Sequence, residues 1–319
     1  MSRPWCSVSR RGKNALALGQ AISLLLAGTA VTSKYLSNAG VNIPTAQSSL
    51  NYFFLSLLLV YRWWAGWRPL SMSLWKYGLL ALADVEANYF IVKAFQYTSI
   101  TSVMLLDAFT IPFVIAISWA FMKAKFGMLH VVGVGLCCVG LTVLVFSDAI
   151  QNPNSSHSSP PAGNSTLALG GGGETLGDLL CILGALFYAV SNVGEEAFVK
   201  RYDITEYLGV IGAIGVVISG VQLSILERDE LDTLSWSAFN VGCLLGYAAC
   251  LLAMYILTAV FMRNCDSTAF NLSVLTSDGW SLLFGVVLFS QHLGWMYFVA
   301  LAVVVSGIVT YHLAPSPTR

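Results

Sequence analysis

Ten long apolar stretches, each flanked by polar or charged residues, dominate this chain: Ala15–Leu36, Thr45–Tyr61, Leu74–Phe95, Thr101–Met122, Met128–Phe146, Gly177–Val199, Leu208–Leu226, Phe239–Met262, Thr268–Phe289 and Trp295–His312. A helix crosses the hydrocarbon core of a bilayer with roughly 20 mostly apolar residues, and each stretch meets or approaches that length. None alternates with the period of a half-buried strand, and open strands would leave their backbone groups unpaired in lipid. Charged residues make up 10% of the chain, hydrophobic residues 56%, and the mean hydropathy is +0.73. A soluble domain carries about 25% charged residues. The sequence therefore predicts an all-α integral membrane protein of ten transmembrane helices.

Charge sets the orientation. The net charge is zero, which leaves no basic surface for nucleic acid. With a cytosolic N-terminus and ten alternating spans, thirteen Lys and Arg residues fall on the cytosolic side, and Lys34, Lys93 and Arg228 fall on the other. Cytosolic loops carry the excess of Lys and Arg, so both termini are expected in the cytosol. The basic N-terminus precedes Ala15–Leu36, a run longer than the roughly 7–15 residues of a signal-peptide core; it is read as the first helix. Cys137, Cys138, Cys181, Cys243 and Cys250 lie within spans, and Cys6 and Cys265 lie on the cytosolic side. That distribution offers neither a disulfide framework nor a zinc spacing.

Ser147–Thr175 is rich in Ser, Asn, Gly and Pro, lacks Lys and Arg, and carries sequons at Asn154 and Asn164. The parity of the spans puts it outside the cytosol, where N-glycosylation occurs. It divides five spans from five. Offsets of 166 and 167 align Gly28 with Gly194, Lys34 with Lys200, Thr101 with Thr268, Gly127 with Gly294 and Gly140 with Gly307. An odd number of spans per half makes the second copy enter the membrane upside down, as in many secondary transporters. The expected organisation is a cytosolic tail (1–14), a first five-helix repeat (15–146), an extracytosolic loop (147–176), a second repeat (177–313) and a short cytosolic tail (314–319). Gly242 and Gly246 form a small-xxx-small pair expected to let helices approach closely.

Polar residues inside the spans carry the functional expectation. Asp84, Glu86 and Asn88 sit in the middle of the third stretch. An ionisable group at that depth costs at least ~2.5 kcal/mol and marks a polar path, a binding site or a buried pair. On a helix Glu86, Tyr89 and Lys93 share one face, with Asp84 and Asn88 almost opposite. One face is expected to meet an aqueous path and the other a neighbouring helix, without the sequence saying which. Asp107 lies five residues before the helix breaker Pro112, and Asp278 lies at the centre of the ninth stretch, the counterpart of the fourth. Glu86, Asp107 and Asp278 are candidates for solute or proton contacts. Tyr89, Tyr188, Asn192 and Trp280 are candidates for lining the path or stacking on a flat solute. Asp84, Asn88, Glu195 and Glu196 are read as structural or coupling residues, with Glu196 placed to pair with Lys200 at i+4. This acidic midplane favours a neutral or cationic organic solute. The chain lacks the Gly-x-Ser-x-Gly and His-Glu-x-x-His patterns, and its four histidines fall at or beyond span ends. No enzyme activity, metal or cofactor is expected; the partners are a small solute and the lipid bilayer.

Ala83-Asp84-Val85-Glu86-Ala87-Asn88-Tyr89, Thr101-Ser102-Val103 with Leu105-Leu106-Asp107, Ile111-Pro112, and Ser191-Asn192-Val193 with Glu195-Glu196 together resemble solute carrier family 35, subfamily F. The resemblance runs from about Leu18 to Tyr311. It places the chain in the drug/metabolite transporter superfamily and implies ten helices in two inverted repeats working by alternating access. Relatives elsewhere in the family exchange nucleotide sugars in the Golgi and endoplasmic reticulum. A member of the subfamily is associated instead with cell-surface uptake of queuine-type nucleobases and cationic drug-like molecules. The expected function is thus transport of a queuine-like base or nucleoside at the plasma membrane. A nucleotide-sugar exchanger of the Golgi or endoplasmic reticulum, and a non-transporting membrane scaffold, stand as alternatives.

Overall fold

Apolar runs of this length close all their backbone hydrogen bonds internally only as helices, and a computed structural model of the chain has that architecture. It describes residues 8–38, 43–66, 69–94, 97, 103, 106–151, 172–227, 237–289 and 295–314. Ten helices occur among them: α1 (Val8–Asn38), α2 (Pro44–Trp64), α3 (Leu74–Ala94), α4 (Thr110–Met122), α5 (Met128–Gln151), α6 (Gly172–Val199), α7 (Ile204–Leu226), α8 (Ala238–Asn264), α9 (Ser267–Phe289) and α10 (Trp295–Leu313). Their ends follow local chemistry. Pro44 opens α2 where its missing N–H costs nothing. The Ser237 hydroxyl accepts from the Asn240 amide at 3.2 Å and caps α8. Asp266 does the same for α9 through the Ala269 amide at 2.8 Å. Lys123 turns left-handed (φ 54°) to end α4, and the Ala124 amide reaches back to the Ser118 carbonyl at 3.2 Å.

The fourth stretch departs from expectation. Regular helix begins at Thr110, after a turn at Ala108–Phe109, although Leu106 and Asp107 are themselves helical. Pro112 explains the break: it cannot donate to the preceding turn and fits only within the first turn of a helix. The break falls next to Asp107.

Among the described residues, four helices are long and apolar enough to cross a membrane by length and composition, at Asn14–Ser33, Thr175–Val199, Ile204–Ile225 and Ala238–Asn264. Shorter apolar segments occur at Thr110–Met122, Met128–Val143 and Phe298–Leu313. Rows of large apolar side chains face outward, including Phe53, Leu57 and Val60 on α2 and Val217, Val221 and Ile225 on α7. Contiguous exposure of this kind would aggregate a soluble monomer; lipid is its natural solvent.

The chain divides into two compact units: Met1–Val85 with Gly194–Gln291, and Glu86–Val193 with His292–Arg319. Helices α3 and α6 each contribute to both. In the first unit α1 packs on α8 and α9, and α2 packs on α7. In the second, α5 packs on α10, and α6 meets α3 at Gly184 and α4 at Val114. Glycine permits the tightest seams. A Cβ on Gly212 would lie 2.6 Å from both Leu55 Cβ and the Ser56 amide of α2. One on Gly133 would lie 2.8 Å from the Gly307 carbonyl of α10. The expected close approach at Gly242 and Gly246 is not among these seams. A Cβ on Gly242 would meet nothing within 4 Å, and one on Gly246 only Thr32 Cγ2 at 3.6 Å.

Candidate functional site

Within the first unit, α3 carries Asp84 into a pocket of phenols. Tyr52 of α2 and Tyr255 of α8 both donate to Asp84 Oδ2, each at 2.7 Å. Their rings meet edge to face, 6.2 Å apart. Asp84 is 9% exposed and Tyr52 1%. A carboxylate removed from water keeps its charge only with such donors. Glu195 of α6 lies in the electrostatic field of Asp84. It is 6% exposed, and its Oε1 has no hydrogen-bond partner. Tyr207 of α7, also buried, feels both carboxylates. Gly194 leaves room beside Glu195 for Leu80 of α3, whose Cδ2 would sit 2.2 Å from any added Cβ. The cluster thus holds two acids and three phenols, with one carboxyl oxygen unsatisfied. It suits a proton or a cation and repels an anion.

Two further polar groups lie in the second unit. At the helix break, Asp107 Oδ1 and Thr110 Oγ1 are buried beside each other, and among the described residues no third group is placed to hydrogen-bond them. Native interiors pair nearly all such atoms, so an orphan calls for a water or a ligand. On α6, the Tyr188 hydroxyl donates to Asn88 Oδ1 at 2.8 Å.

In the first unit, α1 and α9 are stitched by Gln20, Ser23 and Thr276. Gln20 donates to the Thr276 hydroxyl at 3.0 Å, Thr276 to Ser23 at 2.9 Å, and Ser23 to the Ser273 carbonyl at 2.6 Å. Trp280 Nε1 donates to Gln20 Oε1 at 3.1 Å.

Carboxylates also lock the helix ends of this unit. Glu206 at the start of α7 accepts from Arg62 Nη2 at 2.8 Å, from the Ser71 amide and hydroxyl at 2.6 and 2.8 Å, and from the Tyr77 hydroxyl. Glu227, just past the other end of α7, accepts from the Thr45 and Ala46 amides at the start of α2. Glu196 pairs with Lys200 and accepts from the Ser267 amide and hydroxyl at 2.9 and 2.7 Å.

The structure thus joins Asp84 to the surroundings of Glu195, and Asn88 to Tyr188. It gives the Asp84–Asn88 face of α3 to neighbouring helices, which the helical wheel left open. Glu196 makes the i,i+4 pair the spacing predicts. Glu86 is half-buried and acts electrostatically on Tyr89 one turn on; Asn192 is half-buried on α6. Asp278 belongs to α9, but its side chain lies outside those described, as do Asn154 and Asn164 altogether. Sequence reasoning missed Tyr52, Tyr207, Tyr255, Gln20, Glu206 and Glu227. A neutral phenol in an apolar run reads as packing; only the doublet Asn51-Tyr52 inside the second stretch gave a polar signal.

Comparison with known proteins places this geometry. Residues 8–313 match the family profile SLC35F, solute carrier family 35. The mouse protein named solute carrier family 35 member F2 is 37% identical over 95% of this chain and 79% of its own length. The Xenopus tropicalis protein of the same name is 34% identical over 95% of this chain and 77% of its own. An uncharacterized solute carrier family 35 member from Schizosaccharomyces pombe is 34% identical over 95% of this chain and 58% of its own. One solved crystal structure superposes with a TM-score of 0.73 over 94% of this chain and 97% of that chain, at 15% identity, which shows a shared fold. With a family match over nearly its whole length and apolar helices throughout, the chain belongs to the F group of solute carrier family 35, a multi-pass membrane carrier of small solutes rather than an enzyme.

Proposed function

We propose that this chain is a secondary transporter that moves a small neutral or cationic organic solute, a queuine-like nucleobase or nucleoside, by alternating access at the plasma membrane. The observation that carries the reading is the sign of the buried charge. Asp84 and Glu195 are both buried and interact electrostatically, while Arg62 and Lys200, at helix ends, are engaged by Glu206 and Glu196. A site lined by acids attracts cations and tolerates neutral bases, but a nucleotide sugar brings a diphosphate that needs free cationic partners. Glu86, Tyr89, Asp107, Tyr188, Asn192, Asp278 and Trp280 remain the proposed solute contacts, joined now by Asp84 and Glu195.

Two five-helix repeats of opposite orientation underlie the proposed mechanism. The packing supports them through a regularity of partners: α2 packs on α7 and α5 on α10, while α1 packs on α8 and α9 as α6 packs on α3 and α4. Exchanging each helix with the one five places away maps these pairs onto one another, as duplicated halves require, while among the described residues α2 also packs on α8 with no counterpart of similar extent between α7 and α3. The sequons at Asn154 and Asn164 are proposed to be glycosylated on the outer face.

Uptake of radiolabelled queuine into cells that overexpress or lack the protein tests the reading. Saturable uptake that follows expression supports it. Equal uptake in both lines, with exchange of a nucleotide sugar in Golgi vesicles, contradicts it.

A further inference from the structure

We propose that Glu195 is a proton-binding site that holds its proton at neutral pH, in the field of the charged Asp84. That this proton drives transport rests on the transport reading above; its residence does not. Two buried carboxyl groups that feel each other's charge do not both ionise without repulsion, which favours one of them neutral. The hydrogen bonds decide which. Asp84 receives two phenolic donors on Oδ2, and both stabilise its charge. Glu195 Oε1, nine-tenths buried, receives none. A charged Glu195 would be an uncompensated buried anion; a neutral one carries its own donor.

The groups facing the pair come from every helix packed around it: Tyr52 from α2, Tyr207 from α7 and Tyr255 from α8, with Asp84 itself from α3. Each is a neutral phenol or an acid. Arg62 and Lys200 are bound to Glu206 and Glu196. An acid whose Oε1 has no donor beside it is neutralised most directly by a proton of its own. In the exchange step the Glu195 O–H bond breaks and its proton passes to water, leaving the carboxylate to pair with an incoming organic cation. On the other side of the membrane the cation leaves and the proton returns. One monovalent cation for one proton is electroneutral.

The test uses the purified full chain in lipid nanodiscs, with infrared spectroscopy of the protonated-carboxyl C=O stretch across a pH titration. Wild type is expected to show this band at neutral pH, Glu195→Gln to lose it, and Glu195→Asp to keep it at a shifted frequency. Asp84→Asn removes the neighbouring charge, so the Glu195 band should vanish at lower pH than in wild type. A band that Glu195→Gln leaves intact, or a titration that Asp84→Asn does not move, overturns the site. If the spectra behave as expected but an imposed pH gradient drives no labelled queuine into proteoliposomes, the coupling is overturned and the proton site stands.

Discussion

Tyr52 and Asp84, 32 residues apart in the chain, are joined by a 2.7 Å hydrogen bond in which the phenol donates to Oδ2, the oxygen that Tyr255 also holds. This arrangement explains how an apolar helix tolerates a carboxylate. A hydrogen bond to a charged group contributes about 1.5–3 kcal/mol, comparable to the cost of placing an acid in the bilayer. Tyr52→Phe and Tyr255→Phe should each lower stability by about that much, read as a fall in the unfolding midpoint of the detergent-solubilised protein. Because both phenols serve one oxygen, the double variant should depart from additivity. Unchanged midpoints in both single variants would mean that Asp84 does not depend on these donors.

The seam between α2 and α7 gives a second expectation. An alanine at Gly212 puts its Cβ 2.6 Å from the α2 backbone, so the helices must separate. Overpacking of this kind costs about 1–3 kcal/mol, and the yield of folded protein should drop. Gly242→Ala meets nothing within 4 Å and should be neutral, or stabilising by up to about 1 kcal/mol through helix propensity. Equal behaviour of the two variants in a size-exclusion assay would refute the packing account.

Glu206 is the third. It is 1% exposed and gathers Arg62, Ser71 and Tyr77, tying the segment between α2 and α3 to the start of α7. Removing one partner of a buried ion pair costs about 3–5 kcal/mol. Glu206→Gln should therefore release Arg62 and Ser71 and open the chain at Arg62 to trypsin. A digestion pattern identical to wild type would show that the lock is dispensable.

Helices were legible in the sequence because the length and apolarity of each run leave few other solutions. All ten stretches contain a helix, and the break at Ala108–Phe109 inside the fourth follows from Pro112, a residue whose breaking role the sequence announces. The site was half legible. Charges such as Asp84 and Glu195 stand out against an apolar background, and Glu196–Lys200 follows from local spacing. Tyr52, Tyr207 and Tyr255 do not stand out, because a phenol becomes functional only through a partner on another helix. Gly242 and Gly246 show the same limit from the other side: the spacing permits a close approach, and tertiary packing did not use it. The residues that were used, such as Gly133 and Gly307, are joined only in three dimensions.

At the break in the fourth stretch, Asp107 Oδ1 and Thr110 Oγ1 are buried beside each other and lack further partners among the described residues. If a solute or its water supplies them, Asp107→Asn should cut uptake by about tenfold or more, the loss of one charge-assisted contact, with surface expression retained. Normal uptake by a well-expressed Asp107→Asn protein would remove this residue from the proposed site.

The central claim is that acids, and not cations, line the solute site. Purified protein in proteoliposomes, offered labelled queuine and a labelled nucleotide sugar in parallel, tests it most directly. The account predicts saturable flux of the base, abolished or strongly reduced by Asp84→Asn and Glu195→Gln, with no competition from the nucleotide sugar. Robust exchange of the nucleotide sugar, without uptake of the base, would contradict it.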